Sequence, residues 1–276
     1  MHRAKRRRPQ AAAEGEPPSG DVPIVLVHGF TGSGASWSRD LRGALTAAGR
    51  RVVAVDLPGH GTRSVDQDPH AFTLERALEA IGGATTGRMD LVGYSMGGRI
   101  GLHFAVACPD RVRRLVLESA SPGLASEPER AARRADDRTL ADRIERDGMA
   151  AFVTEWSRVP VLRPAAARSS EAEERVRRIR SANRAEGLAG ALRGLGTGAL
   201  PSLWDRLAEV RAPTLLLVGA EDPKFVGIAR RMAESLPDAT VAIVPGAGHT
   251  VHLDQPGAWA SGVLKHVGEL GAGTGE

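Results

Sequence analysis

In Leu91–Val92–Gly93–Tyr94–Ser95–Met96–Gly97–Gly98 a serine stands between glycines in a Gly-x-Ser-x-Gly pattern. A serine hydroxyl is neither basic nor strongly nucleophilic at neutral pH. Chemistry at Ser95 therefore needs an imidazole to take its proton and a carboxylate to orient that imidazole. Both occur downstream in the order Ser, acid, His, in Gly219–Ala220–Glu221–Asp222 and in Gly246–Ala247–Gly248–His249. Glu221 is the rival acid, but the position two residues after the Gly–Ala pair favours Asp222. His252, His103, His60 and His70 do not follow a strand through such a glycine approach, so they are read as structural or exposed. The remaining need is a pair of backbone donors for an oxygen that becomes negative. One candidate is the amide of Met96. The other is expected after the first strand, where His28–Gly29–Phe30 precedes Thr31–Gly32–Ser33–Gly34, and there the Phe30 amide is the candidate. His28 itself is read as ordering its loop. That glycine-containing loop carries neither a Gly-Lys-Ser/Thr ending nor a dinucleotide fingerprint, so a phosphate cradle is set aside.

The elements that would position these groups are legible as short apolar runs: Ile24–Val27, Val52–Val55, 89–92, Leu115–Leu117, 214–218 and Val241–Val244. Brief Val/Ile/Leu-rich runs separated by helix-like segments predict a parallel sheet covered on both faces, with the ligand crevice just beyond the strand ends. The fold class is α/β. A core over 21–121 and 207–270 is expected, with the long Ala/Arg/Glu-rich stretch 122–206 inserted as a helical cap. Within the cap, Ala150–Ala151–Phe152–Val153 and Trp156 place apolar groups on one helical face, suited to packing the cap on the core.

Composition narrows the function classes. Of the 276 residues, 42% are hydrophobic and 25% charged, which suits a globular chain and not a fibrous or membrane-embedded one. The net charge of +4 could suggest nucleic acid, but much of the positive charge lies in the start His2–Arg8 and in a region around 130–193 that also holds many acids. The first reads as part of a disordered basic tail over 1–20 and the second as solvated helices, so no nucleic-acid partner is expected. The basic start leads into Pro9 and an Ala/Glu/Gly/Pro/Ser segment with no apolar core of a signal peptide. No run approaches the roughly 18 apolar residues of a membrane span. With Cys108 as the single cysteine, these features fit a reducing cytoplasm.

His28–Gly29–Phe30, Asp56–Leu57–Pro58–Gly59–His60–Gly61, Gly93–Gly98 and Gly248–His249 together resemble the α/β-hydrolase superfamily, from about Val22 to Val267. A narrower resemblance lies in Gly93–Arg99, Ser121–Pro122–Gly123–Leu124, Asp222–Pro223–Lys224–Phe225 and Ala247–His252. These are similar to the 2-succinyl-6-hydroxy-2,4-cyclohexadiene-1-carboxylate synthases, lyases of menaquinone biosynthesis that eliminate pyruvate. The resemblance implies substrate contacts at Tyr94 and Arg99 and, in the cap, at Arg133, Trp156 and Arg180. Its substrate carries several carboxylates, which arginine forks bind through paired charge-assisted hydrogen bonds. The competing account of Arg133 and Arg180 is a solvated surface group, and that of Trp156 is core packing.

In such a lyase Ser95 acts as base. A proton beside the succinyl ketone is removed, the electrons expel the enolpyruvyl oxygen, and a ring diene remains; the elimination calls for no metal or organic cofactor. Two alternatives stay open: an ester or carbon–carbon-bond hydrolase in which Ser95 attacks a carbonyl, and a non-catalytic binding module on the same fold. The intact Ser, Asp and His set argues against the second.

Overall fold

The computed structural model describes residues 22–64, 70–162 and 169–268; the proposed tail over 1–20 lies outside them. Six strands form one sheet: β1 (Ile24–Val27), β2 (Val52–Val55), β3 (Met89–Tyr94), β4 (Val112–Glu118), β5 (Thr214–Gly219) and β6 (Ala239–Val244). All pairings are parallel, in the order β2-β1-β3-β4-β5-β6. β3 and β4 run longer than the runs read from the sequence, β3 by Gly93 and Tyr94 and β4 by Val112, Arg113 and Arg114 before its run and Glu118 after it.

The strands read as unbroken apolar runs because alternate residues enter two different cores. Val25, Val27, Leu91 and Leu115 face one side, where they meet α2 (Leu74–Gly82), α3 (Met96–Ala107) and α7 (Pro223–Ala233). Ile24, Leu26, Val92 and Val116 face the other, against α1 (Arg39–Ala47) and α9 (Pro256–Val267), where Trp37 and Trp259 pack together. The chain runs from β1 outward to β2 and then returns across to β3, so the sheet order reverses between β1 and β3, which places a crevice beyond their carboxyl ends.

Among the described residues, three α-helices occupy the connection between β4 and β5: α4 (Glu127–Trp156), α5 (Ser170–Ser181) and α6 (Ala185–Leu195). Ser126 and Glu129 start α4 with a reciprocal capping box. Gly148, at φ 78°, breaks its course. Ile144, Phe152, Val153, Leu188 and Leu192 bury against one another in a cluster confined to these helices, and Phe30 and Trp156 pack against it. Near the start of β3, Asp90 is wholly buried between Arg50 and Arg113, with Arg113 Nε donating to its Oδ1 at 2.8 Å. Arg50 also donates to the carbonyls of Val22 and Gly268, each at 2.8 Å.

Candidate active site

Ser95 occupies the turn between β3 and α3 with φ 51° and ψ −111°, a left-handed backbone that side chains other than glycine rarely adopt. Its amide donates to the Glu118 carbonyl at 2.8 Å, so the end of β4 holds the turn in place. The turn is tight because α3 starts directly on the end of β1: a Cβ on Gly97 would come within 2.4 Å of the carbonyl oxygens of Val27 and His28. The same close approach sets the His28–Gly32 loop beside the first turn of α3.

His249 Nε2 lies 3.1 Å from Ser95 Oγ, and its Nδ1 lies 2.8 Å from Asp222 Oδ2. An ionised carboxylate only accepts, so Nδ1–H donates to it and Nε2 is left to accept the serine proton. The second Asp222 oxygen accepts from the Phe225 amide at 3.2 Å and caps α7, which fixes the carboxylate itself. The Phe225 ring meets the imidazole edge to face at 4.5 Å. Two loops must come very close for this geometry; a Cβ on Gly219 would sit 2.1 Å from the Ala247 carbonyl oxygen. Asp222 and His249 are buried, whereas Glu221 is exposed.

Met96 is the first residue of α3, where an amide has no intrahelical acceptor. Among the described residues the Phe30 amide makes no backbone hydrogen bond either. Both donors are thus open at the mouth of the turn. The loop bearing Phe30 is held by His28, which is wholly buried. Its Nδ1 bonds the Gly29 carbonyl at 2.8 Å and its Nε2 accepts from the Leu57 amide at 3.1 Å. Burial pushes its pKa down, consistent with a neutral, loop-ordering ring. His60 is buried against it and pushed down to about 3, by burial first and then by His28. His103 is pushed down to about 4, again chiefly by burial. His70 is exposed.

A cleft lined by Tyr94 opens beside the serine turn. Its walls include Phe30, Tyr94, Thr250 and His252 on the sheet side and Arg175 and Arg180 from α5. Tyr94 precedes Ser95 and Thr250 follows His249, and the Tyr94 hydroxyl lies 3.1 Å from Thr250 Oγ1. Among the described residues no Asp or Glu lines the cleft, and the two arginines suit an anionic occupant. Arg180 Nη1 also donates to Ser157 Oγ at 3.1 Å. Trp156 does not line the cleft. It packs on Phe30 and Phe152, each ring pair 5.4 Å apart, in line with the core-packing account.

Arg99 and Arg133 come together away from this cleft. Arg99 is buried and donates through Nη1 to Thr197 Oγ1 at 2.8 Å and through Nη2 to the Leu195 carbonyl at 3.0 Å. Burial, then the charge of Arg133, pushes its pKa down to about 10. Arg133 donates through Nε to Asp137 Oδ1 at 2.8 Å and remains 45% exposed, so its far end still reaches solvent. Three residues escaped the sequence reading. Arg175 is one arginine among many there. Glu118 ends a strand with no motif around it. Asn183 looks like any helix-end asparagine, yet it is buried, donating to the Thr31 carbonyl at 2.9 Å and accepting from the Gly61 amide at 3.0 Å.

The profile of the alpha/beta hydrolase family matches residues 24–261. The chain belongs to that family. Among its members, the chain is 39% identical over 249 residues to the putative 2-succinyl-6-hydroxy-2,4-cyclohexadiene-1-carboxylate synthase of Bacillus subtilis, covering 89% of this chain and 90% of that one. It is 32% identical to the synthase of that name from Klebsiella pneumoniae, covering 85% and 89%. The solved structure of MenH from S. aureus superposes with a TM-score of 0.83 at 30% identity, over 90% of this chain and 94% of that one. The fold is therefore shared with the S. aureus protein over nearly the whole length of both chains. Among the described residues, no helix is long and apolar enough to cross a membrane.

Proposed function

We propose that this enzyme is a 2-succinyl-6-hydroxy-2,4-cyclohexadiene-1-carboxylate synthase, a carbon–oxygen lyase of menaquinone biosynthesis. It would eliminate pyruvate from 2-succinyl-5-enolpyruvyl-6-hydroxy-3-cyclohexene-1-carboxylate. The observation that carries the proposal is the 39% identity to a synthase across nine-tenths of both chains, on a protein whose Ser95, His249 and Asp222 are joined by hydrogen bonds.

In this reading His249 draws the proton from Ser95, and the Ser95 oxygen removes the proton on the ring carbon beside the succinyl ketone. The carbonyl oxygen becomes an enolate, held by the amides of Phe30 and Met96; one such donor is typically worth about 2.7–4 kcal/mol. The electron pair then moves through the ring double bond, forms the second double bond of the diene and breaks the carbon–oxygen bond to the enolpyruvyl group. The departing enolate takes up a proton at its methylene carbon, with imidazolium His249 as the donor, and leaves as pyruvate. Arg180 on the cleft wall and Tyr94 beside the serine would orient the substrate. Arg133, whose far end reaches solvent, would add a further substrate contact, with the buried Arg99 beside it lending its charge, and helices α4–α6 would serve as the cap.

The test is incubation with the enolpyruvyl substrate while pyruvate is measured. Ser95→Ala and His249→Ala should each nearly abolish release, and the losses should not add, because either change removes the same proton path. Asp222→Asn should also be severe, since it favours the wrong imidazole tautomer. Efficient ester or carbon–carbon hydrolysis through a trapped Ser95 adduct, with no pyruvate formed, would establish the hydrolase alternative instead.

A further inference from the structure

Behind the triad lies a second carboxyl–imidazole pair that the elimination does not use. Glu118, the last residue of β4, is wholly buried, and three donors converge on its carboxyl group. They are the His252 amide at 3.1 Å, His252 Nδ1 at 2.8 Å from one oxygen and 3.0 Å from the other, and Trp259 Nε1 at 2.9 Å. His252 belongs to α8 (Val251–Asp254), the single turn of helix that begins two residues after His249. Its ring meets Tyr94 edge to face at 4.9 Å, and the Tyr94 ring also lies 5.6 Å from the His249 ring. The same Glu118 residue, through its backbone carbonyl, accepts the Ser95 amide at 2.8 Å. One residue therefore grips the Ser95 turn with its main chain and the segment after His249 with its side chain.

We infer that Glu118 is a positioning residue which, through His252 and Tyr94, sets the distance and angle between His249 and Ser95. The Ser95–His249 contact joins two separate loops, and a proton passes between them only if their relative placement holds to a fraction of an ångström. Asp222 and Phe225 brace the imidazole from the β5 side. Glu118 supplies the brace from the β4 side. Glutamine at this position keeps the shape but turns a donor toward donors, since its amide offers only one acceptor oxygen.

The inference rests on the pairing of Ser95 with His249 and not on which substrate is bound, so its test reads serine reactivity directly. A fluorophosphonate that reacts with an activated serine is applied to the full-length protein, and pyruvate release is followed in parallel. Glu118→Gln should slow phosphonylation of Ser95 about tenfold and lower kcat by a similar factor with KM little changed, as loss of an outer hydrogen-bond partner does elsewhere. His252→Leu should act likewise. His252→Asn, whose amide nitrogen can stand where Nδ1 stood, should restore most of the rate. If Glu118→Gln does not fold, the His252 pair decides alone. Phosphonylation at the wild-type rate in folded Glu118→Gln or His252→Leu, or an equal loss in His252→Asn and His252→Leu, would overturn the inference. Absent pyruvate release with this labelling pattern intact would count against the lyase reading only.

Discussion

At the scale of single residues, the site was readable where a side chain's role is fixed by the strand it follows. Ser95, Asp222 and His249 each stand in a glycine-containing segment just past a strand, and the fold brings those segments to one place. Arginines carry no such address. Arg99 sits inside the serine motif, yet its fork is spent on Thr197 and Leu195 and not on the cleft, while the unremarked Arg175 lines it. A buried fork with two acceptors has a measurable consequence. Arg99→Lys keeps the charge but cannot reach both acceptors, so it should destabilise the protein by about 1–3 kcal/mol, read as a lower urea midpoint. Arg42→Lys, at an exposed position, should leave the midpoint unchanged.

At the scale of elements, the alternating strands and the helix-rich stretch between β4 and β5 follow from hydrophobic period and composition. The ties between layers do not, because they depend on single polar groups whose partners are remote in sequence. Asn183 shows why: it closes α5 in a way any polar residue could, and only in three dimensions does it bridge Thr31 and Gly61. The Phe30 loop and the Gly61 loop are thereby fastened to the α5–α6 junction. Asn183→Ala would leave the buried Thr31 carbonyl and the half-buried Gly61 amide without this partner, at a cost of about 1–3 kcal/mol for the carbonyl and less for the amide. Chemical denaturation should record that loss. Phosphonylation of Ser95 should slow as well, since the loop that offers the Phe30 amide loses its anchor, whereas Thr139→Ala on the exposed face of α4 should change neither.

At the scale of the whole molecule, several histidines are buried in positions that disfavour their charged form. His60 and His103 have pKa values pushed down to about 3 and about 4, against about 6.5 when unfolded. The unfolded chain therefore binds more protons than the folded one across that interval, and stability is lost as pH falls from about 6.5 toward 4. Melting temperatures measured at fixed ionic strength should drop over this range. His103→Leu, which removes one such site and the unpartnered Nε2 that goes with it, should make the drop shallower. A curve identical to wild type would refute a part for His103 in acid sensitivity.

The guanidinium of Arg50 touches the carbonyls of both Val22 and Gly268, so the two ends of the described fold meet at one side chain. Viewed as a circuit, the fold is almost a closed loop, and the position of its opening is then a matter of convenience and not of architecture. A circular permutant should therefore fold. It would join residue 268 to residue 22 through about four glycine and serine residues and start at Gly87, beside the exposed Thr86. Its Ser95 should react with a fluorophosphonate much as in the parent, because every strand neighbour is kept. A permutant that reached the soluble fraction unfolded would show that the order in which the strands are made matters as well as where they end.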